Sequence, residues 1–149
     1  MSLTSTVHVV AFSTTGRVPI NGKVDTCFAV RTSAQGMTKT WVIPLKIATM
    51  NQAALLGTKF GILSVQPMHR ENLRITTDNP YVAKVLAKKK NKEGREIFPL
   101  KPESNAELVD EIRKLYASIK EPICHLNVEE KTIVELRAKV RVHGKQRLA

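Results

Sequence analysis

Residues Asn72 to Leu86, NLRITTDNPYVAKVL, change their hydrophobic period midway, from that of a strand to that of a helix. Leu73, Ile75 and Thr77 alternate with Arg74 and Thr76, the period-two pattern of a strand that buries one face. The alternation breaks at Asp78-Asn79-Pro80, and helical spacing follows at Tyr81, Val82, Val85 and Leu86. Asn79 is placed to accept the free amide hydrogens of a first turn, and Pro80 stands where a helix needs no amide donor. The stretch therefore reads as a strand running straight into a helix. That leaves Asp78 at the carboxyl end of a strand, where open α/β sheets keep their sites.

The flanking sequence supplies partners for this junction. TVHVVAF at Thr6 to Phe12 predicts a buried first strand, ended by Ser13 to Gly16. Arg17 to Lys23 carries the turn signals Pro19 and Asn21-Gly22. Strands are predicted over Asp25 to Thr32 and Lys39 to Leu45, with a turn at Ser33 to Gly36, so the first three strands form an antiparallel meander. Pro44 places the end of the third strand at a sheet edge. Thr49 to Leu63 predicts a helix with an apolar face of Met50, Ala53, Leu56 and Phe60, and Gly57 permits close packing on the sheet. Lys88 to Lys101 is the densest run of charge, expected as a solvated helix end and loop. A helix capped by Ser104 or Asn105 then buries Leu108, Val109, Ile112, Leu115, Tyr116 and Ile119, and Pro122 ends it. Ile123 to Val128 gives a fifth strand. Glu129 to Val140 fits a last helix with Ile133, Leu136 and Val140 on one face, although its end also alternates like a strand. A helix bridging antiparallel and later strands implies a mixed sheet.

A chain of 149 residues suits a single domain over 1–149, with residues 1–5 and 141–149 expected to be flexible. No apolar run approaches the ~20 residues of a membrane span, so no membrane partner is expected. The start lacks the basic and apolar regions of a secretory signal, which makes the cytoplasm the expected location. Cys27 and Cys124 lie in apolar strand-like runs and are expected as reduced thiols. His8, His69, His125 and His143 are scattered singly, without the paired spacing of a zinc site. Twenty-four Lys and Arg against thirteen Asp and Glu leave a net charge of +11, which favours a polyanionic partner, nucleic acid above all.

In the order of its elements and in several motifs the chain resembles the ribonuclease H-like fold family. NLRITTDNPY at Asn72 to Tyr81 is similar to the family's fourth strand, which ends in a Thr-Asp-Ser-x-Tyr type motif with a metal-binding aspartate. A helix over Tyr81 to Ala87, the basic segment and Lys101-Pro102-Glu103-Ser104-Asn105 follow in the family's order. TMNQAALL at Thr49 to Leu56 is similar to its Thr-Asn-x-x-Ala-Glu-Leu helix motif. The resemblance implies an α/β fold with a five-stranded mixed sheet, its first three strands antiparallel, and helices on both faces. It also implies two-metal phosphodiester hydrolysis, which needs several converging carboxylates. Three of those positions are substituted here: Ser13 stands near the expected first-strand aspartate, Ala54 at the helix glutamate, and Val134, in VELR, at the aspartate of an Asp-x-Leu-Ala motif.

Only Asp78 keeps its acid, as a relic position and weak metal candidate, and short carboxylates at such places also bond backbone amides. Asp25, Glu129, Glu130 and Glu135 are the other acids that could be recruited. The leading expectation is a non-catalytic module without a cofactor. It would bind structured RNA, RNA:DNA hybrid or duplex through Lys84, Lys88, Lys89, Lys90, Lys92 and Arg95, with Lys84 and Lys88 on one helix face. Aromatic residues are only 5% of the chain and none interleaves with these lysines, which disfavours stacking on single strands. Two alternatives remain open: a protein-interaction or assembly scaffold with an acidic partner, and a magnesium-dependent ribonuclease with a rearranged site.

Overall fold

Ser5–Ser13 (β1), Val24–Ala34 (β2) and Met37–Ala48 (β3) form an antiparallel meander, and Met50–Ser64 (α1) carries the chain back to Leu73–Thr77 (β4). Pro80–Val85 (α2), a small hairpin of Lys89–Lys90 (β5) with Glu96–Ile97 (β6), and Ala106–Ala117 (α3) lead to Ile123–Leu126 (β7) and then to Lys131–Leu148 (α4). The computed structural model describes residues 4–13, 24–34, 36–119 and 122–148, and within them all side chains except those of 13, 24, 25, 46, 47, 67 and 140–148. The strand order is β3-β2-β1-β4-β7, with β4 parallel to both β1 and β7. This is the expected five-stranded mixed sheet with helices on both faces.

Strand alternation divides β1 between two cores. Val7, Val9 and Ala11 face the larger one, closed by α1, α2 and α3 through Leu55, Ile62, Val82, Val85, Val109 and Ile112. Val10 faces the opposite side, where Ile133 and Leu136 of α4 meet Cys27 and Ala29 of β2. Cys27 and Cys124 stand on β2 and β7, three strand spacings apart, or about 14 Å, which is beyond disulfide reach. Among the described residues no helix is long and apolar enough to cross a membrane.

Several boundaries differ from the sequence expectation. β2 and β3 run through the predicted turn, pairing Ala34 with Met37, and Gly36 makes the reversal at φ +74°. β3 runs past its expected end at Leu45 to Ala48, and it is the edge strand that Pro44 indicated; Pro44 pairs with Cys27, and on an edge its missing amide donor costs nothing when it faces solvent. The apolar face predicted for α1 is displaced: Ala53, Ala54, Leu55, Gly57, Thr58, Gly61 and Ile62 are buried, while Met50 is exposed. A Cβ at Gly57 would stand 2.8 Å from Val9 Cγ1, so close packing there does require glycine. Neither proposed α3 cap bonds as expected, since Asn105 takes φ 57° without a side-chain hydrogen bond, and the Ser104 carbonyl instead accepts from Tyr81 Oη at 2.6 Å.

At the chain ends, Ser5 belongs to β1 and donates its hydroxyl to the His69 carbonyl at 2.7 Å, so it is not part of a loose end. α4 continues as helix to Leu148, through the residues expected to be flexible. Residues 1–3 and 149, and most of the turn predicted between Ser13 and Lys23, lie outside the described residues.

Candidate functional site

The junction at Asp78 forms as its residues predict. Asn79 accepts the Val82 amide at 3.1 Å and caps α2, with Pro80 as the first helical residue. Asn79 Nδ2 also donates to Asn51 Oδ1 at 3.2 Å, tying this cap to the first turn of α1. Parallel pairing of β1 with β4 stops at Val9 and Thr77. One residue later the Asp78 carboxylate takes over, accepting from the Ala11 amide and from its own. β1 has β2 as its neighbour on one side and β4 has β7 on the other, so Asp78 stands at the boundary between the antiparallel and parallel parts of the sheet.

Thr77 packs in the larger core, so the next side chain points to the α4 face. There Arg137 of α4 brings its Nε to 3.6 Å from Asp78 Oδ2. Asp78 is 12% exposed and Arg137 41%. Burial raises the Asp78 pKa above the ordinary aspartate value, against the opposing pull of Arg137 and the two amides. The sequence puts Arg137 in the predicted last helix, within VELR, and did not mark it as a site residue. Its signal was its position in VELR, where a cation follows the lost aspartate by three residues.

The other acid positions do not assemble around Asp78. Ser13 ends β1, with its side chain outside the described residues; Phe12 is the last described β1 side chain on the α4 face. Ala54 is fully buried in the larger core. Val134 is 52% exposed and lies one turn before Arg137, on the same flank of α4. Of the recruitable acids, Glu130 Oε2 lies 3.1 Å from His8 Nε2 and also caps α4 by accepting the Ile133 amide, while Glu135 pairs with Arg31 at 2.8 Å. Glu129 is exposed, and the Asp25 side chain lies outside the described residues. Among the described residues no three His, Cys, Asp or Glu side chains converge to hold a metal ion. One carboxylate already facing a guanidinium does not fit a pair of magnesium ions, each of which requires several oxygen ligands.

The basic segment is a hairpin and not the expected helix end and loop. Asn91 organises its turn, its side chain accepting the Glu93 and Arg95 amides at 3.0 Å each, with Gly94 at φ +79°. Lys84 lies on α2, but that helix ends at Val85, so Lys88 does not share its face. Lys88 instead folds inward, with Nζ 5.4 Å from the Phe98 ring, 5.1 Å from the Tyr116 ring and 3.8 Å from Glu96. Arg113 places its guanidinium carbon 4.9 Å from the centre of the Phe98 ring and donates to the Val85 and Leu100 carbonyls. These two cations anchor the hairpin base. Lys84, Lys89, Lys90, Lys92 and Arg95 remain exposed to solvent.

A mixed sheet in this order, with three helices on one face and a long one across the other, defines a ribonuclease H-like fold. The chain aligns over 99% of its length with the whole N-terminal RNase H domain of a Mycobacterium tuberculosis protein, determined as a maltose-binding-protein fusion, at 13% identity and TM-score 0.68. It aligns over its full length with the whole of LC11-RNase H1, isolated from compost, at 10% identity and TM-score 0.70. The structure of LC11-RNase H1 in complex with RNA/DNA hybrid matches 97% of this chain and 99% of that one, at 8% identity and TM-score 0.66. No protein-family model matches the chain, and no curated protein does.

Proposed function

We propose that this chain is a non-catalytic ribonuclease H-like module that binds nucleic-acid duplex, RNA:DNA hybrid or structured RNA, through backbone phosphates. The observation that carries this reading is the counter-ion of Asp78: a guanidinium occupies the side where a metal-dependent nuclease needs further carboxylates. The binding half rests on the exposed cations of α2 and the hairpin, whose base Lys88 and Arg113 tie to Phe98. LC11-RNase H1, with the same fold, has been seen in complex with RNA/DNA hybrid. Phosphates lining a duplex suit exposed lysines, whereas the scarcity of aromatic side chains among them offers no platform for unpaired bases.

Fluorescence anisotropy with a labelled RNA:DNA hybrid tests binding. Alanine at Lys89, Lys90 and Lys92 together is expected to weaken it and to lower the slope of log K against log salt by about 3 × 0.9. Incubation of the same hybrid with Mg²⁺ or Mn²⁺ is expected to leave it intact. Cleavage that disappears in Asp78→Asn would make the protein a nuclease.

A further inference from the structure

We propose that Arg137 takes the place of a divalent cation at Asp78 and contacts a backbone phosphate there, so that this module engages nucleic acid without metal. The inference rests on the nucleic-acid reading above and adds a contact that the exposed lysines do not supply. Divalent cations and guanidinium groups both bind phosphate oxygens, but they require different surroundings. A magnesium ion holds six ligands in near-octahedral geometry and needs several anionic oxygens from the protein or substrate. A guanidinium carries its charge on one side chain and presents a planar fork of N–H donors matched to two phosphate oxygens.

The geometry favours the second arrangement. The guanidinium atom nearest Asp78 is Nε, at 3.6 Å, so the carboxylate faces one edge and the Nη groups remain as donors for a ligand. Asp78 is itself fixed by the Ala11 amide and its own, which makes it a stable orienting partner. Glu130, just before α4, and Glu135, on it, are held by His8 and Arg31, and Arg137 has no other ion pair among the described residues. Its 41% exposure leaves it open to a ligand beside the end of β4.

Anisotropy of a labelled RNA:DNA hybrid, titrated in EDTA and again in Mg²⁺, separates the possibilities. The expected result is equal affinity in the two buffers at matched ionic strength. Arg137→Ala should weaken binding about tenfold and reduce the salt slope by about one. Arg137→Lys should recover part of the loss, and Arg137→Gln, which keeps the length of the stem, should behave like the alanine variant. Circular dichroism melts confirm that each variant is folded. Binding that collapses in EDTA, or an Arg137→Ala variant that binds like the parent while Lys89→Ala/Lys90→Ala does not, overturns the role of Arg137 and leaves the module reading intact. A parent protein that fails to bind the hybrid in either buffer overturns both.

Discussion

His8 lies under α4 with its Nε2 3.1 Å from Glu130 Oε2, and Arg31 stands opposite it on β2. Burial lowers its pKa below the ordinary 6.5; Glu130 pulls the other way, and Arg31 adds to the lowering. A histidine whose folded pKa is depressed is neutral in the native state at pH values where the unfolded chain already binds a proton. Stability therefore begins to decline as pH falls past 6.5, and the decline levels off below the folded value. His8→Gln stays neutral and still offers Glu130 an N–H. Melting temperatures measured from roughly pH 8 to pH 5 should drop less for this variant than for the parent, and superimposable profiles would remove His8 from the account. The Glu130 contact matters to the site because Glu130 caps the helix that carries Arg137.

At the scale of elements, α1 shows how a helix can be buried by what its side chains lack. Gly57 and Gly61 let the backbone settle onto Val7, Val9, Phe28 and Val30, and a methyl group at Gly61 would overlap Val7 Cγ1 and crowd Val30 Cγ1 at 3.2 Å. Alanine gains about 1 kcal/mol over glycine in helix propensity, but overpacking a filled core costs about 1–3 kcal/mol. Gly61→Ala is expected to destabilise the protein by about 1 kcal/mol net in urea denaturation, since both neighbours sit on central strands with little room to retreat. A gain in stability would show that the sheet yields. The same feature explains why the buried face of α1 was only partly legible: of the expected Met50, Ala53, Leu56 and Phe60, Ala53 is fully buried and Leu56 and Phe60 are half-buried, while the tightest contacts fall on Ala54, Gly57 and Gly61, flanked by Leu55 and Ile62. The β4–α2 junction, by contrast, was legible almost to the residue, because alternation, cap and proline agree locally at Leu73 to Val82. The β5–β6 hairpin was hidden because its order comes from Asn91 and from cations stacked on Phe98 and Tyr116, contacts that hydrophobic periodicity does not register. Asp78 could be found from its strand end. Arg137 could not be joined to it, because that contact spans the whole sheet topology.

For the whole molecule, the excess of +11 acts before any contact forms. A net positive field extends about 8 Å into solution at physiological ionic strength and farther in dilute buffer, so it speeds encounter with a polyanion in a way that salt removes. Contacts formed after docking, such as those proposed for Arg137 and the hairpin lysines, instead govern how long the complex lasts. The two contributions are separable in a stopped-flow experiment with labelled hybrid. The association rate should fall by about tenfold or more between low and physiological salt in the parent, and nearly as much in Arg137→Ala, because one charge among an excess of eleven changes the long-range field little. The dissociation rate should distinguish the two proteins, with Arg137→Ala releasing the hybrid faster at every salt concentration. If Arg137→Ala slowed association and left dissociation unchanged, its guanidinium would belong to the diffuse field and not to a docked phosphate, and Asp78 would then be a ladder-ending carboxylate with a counter-ion and nothing more.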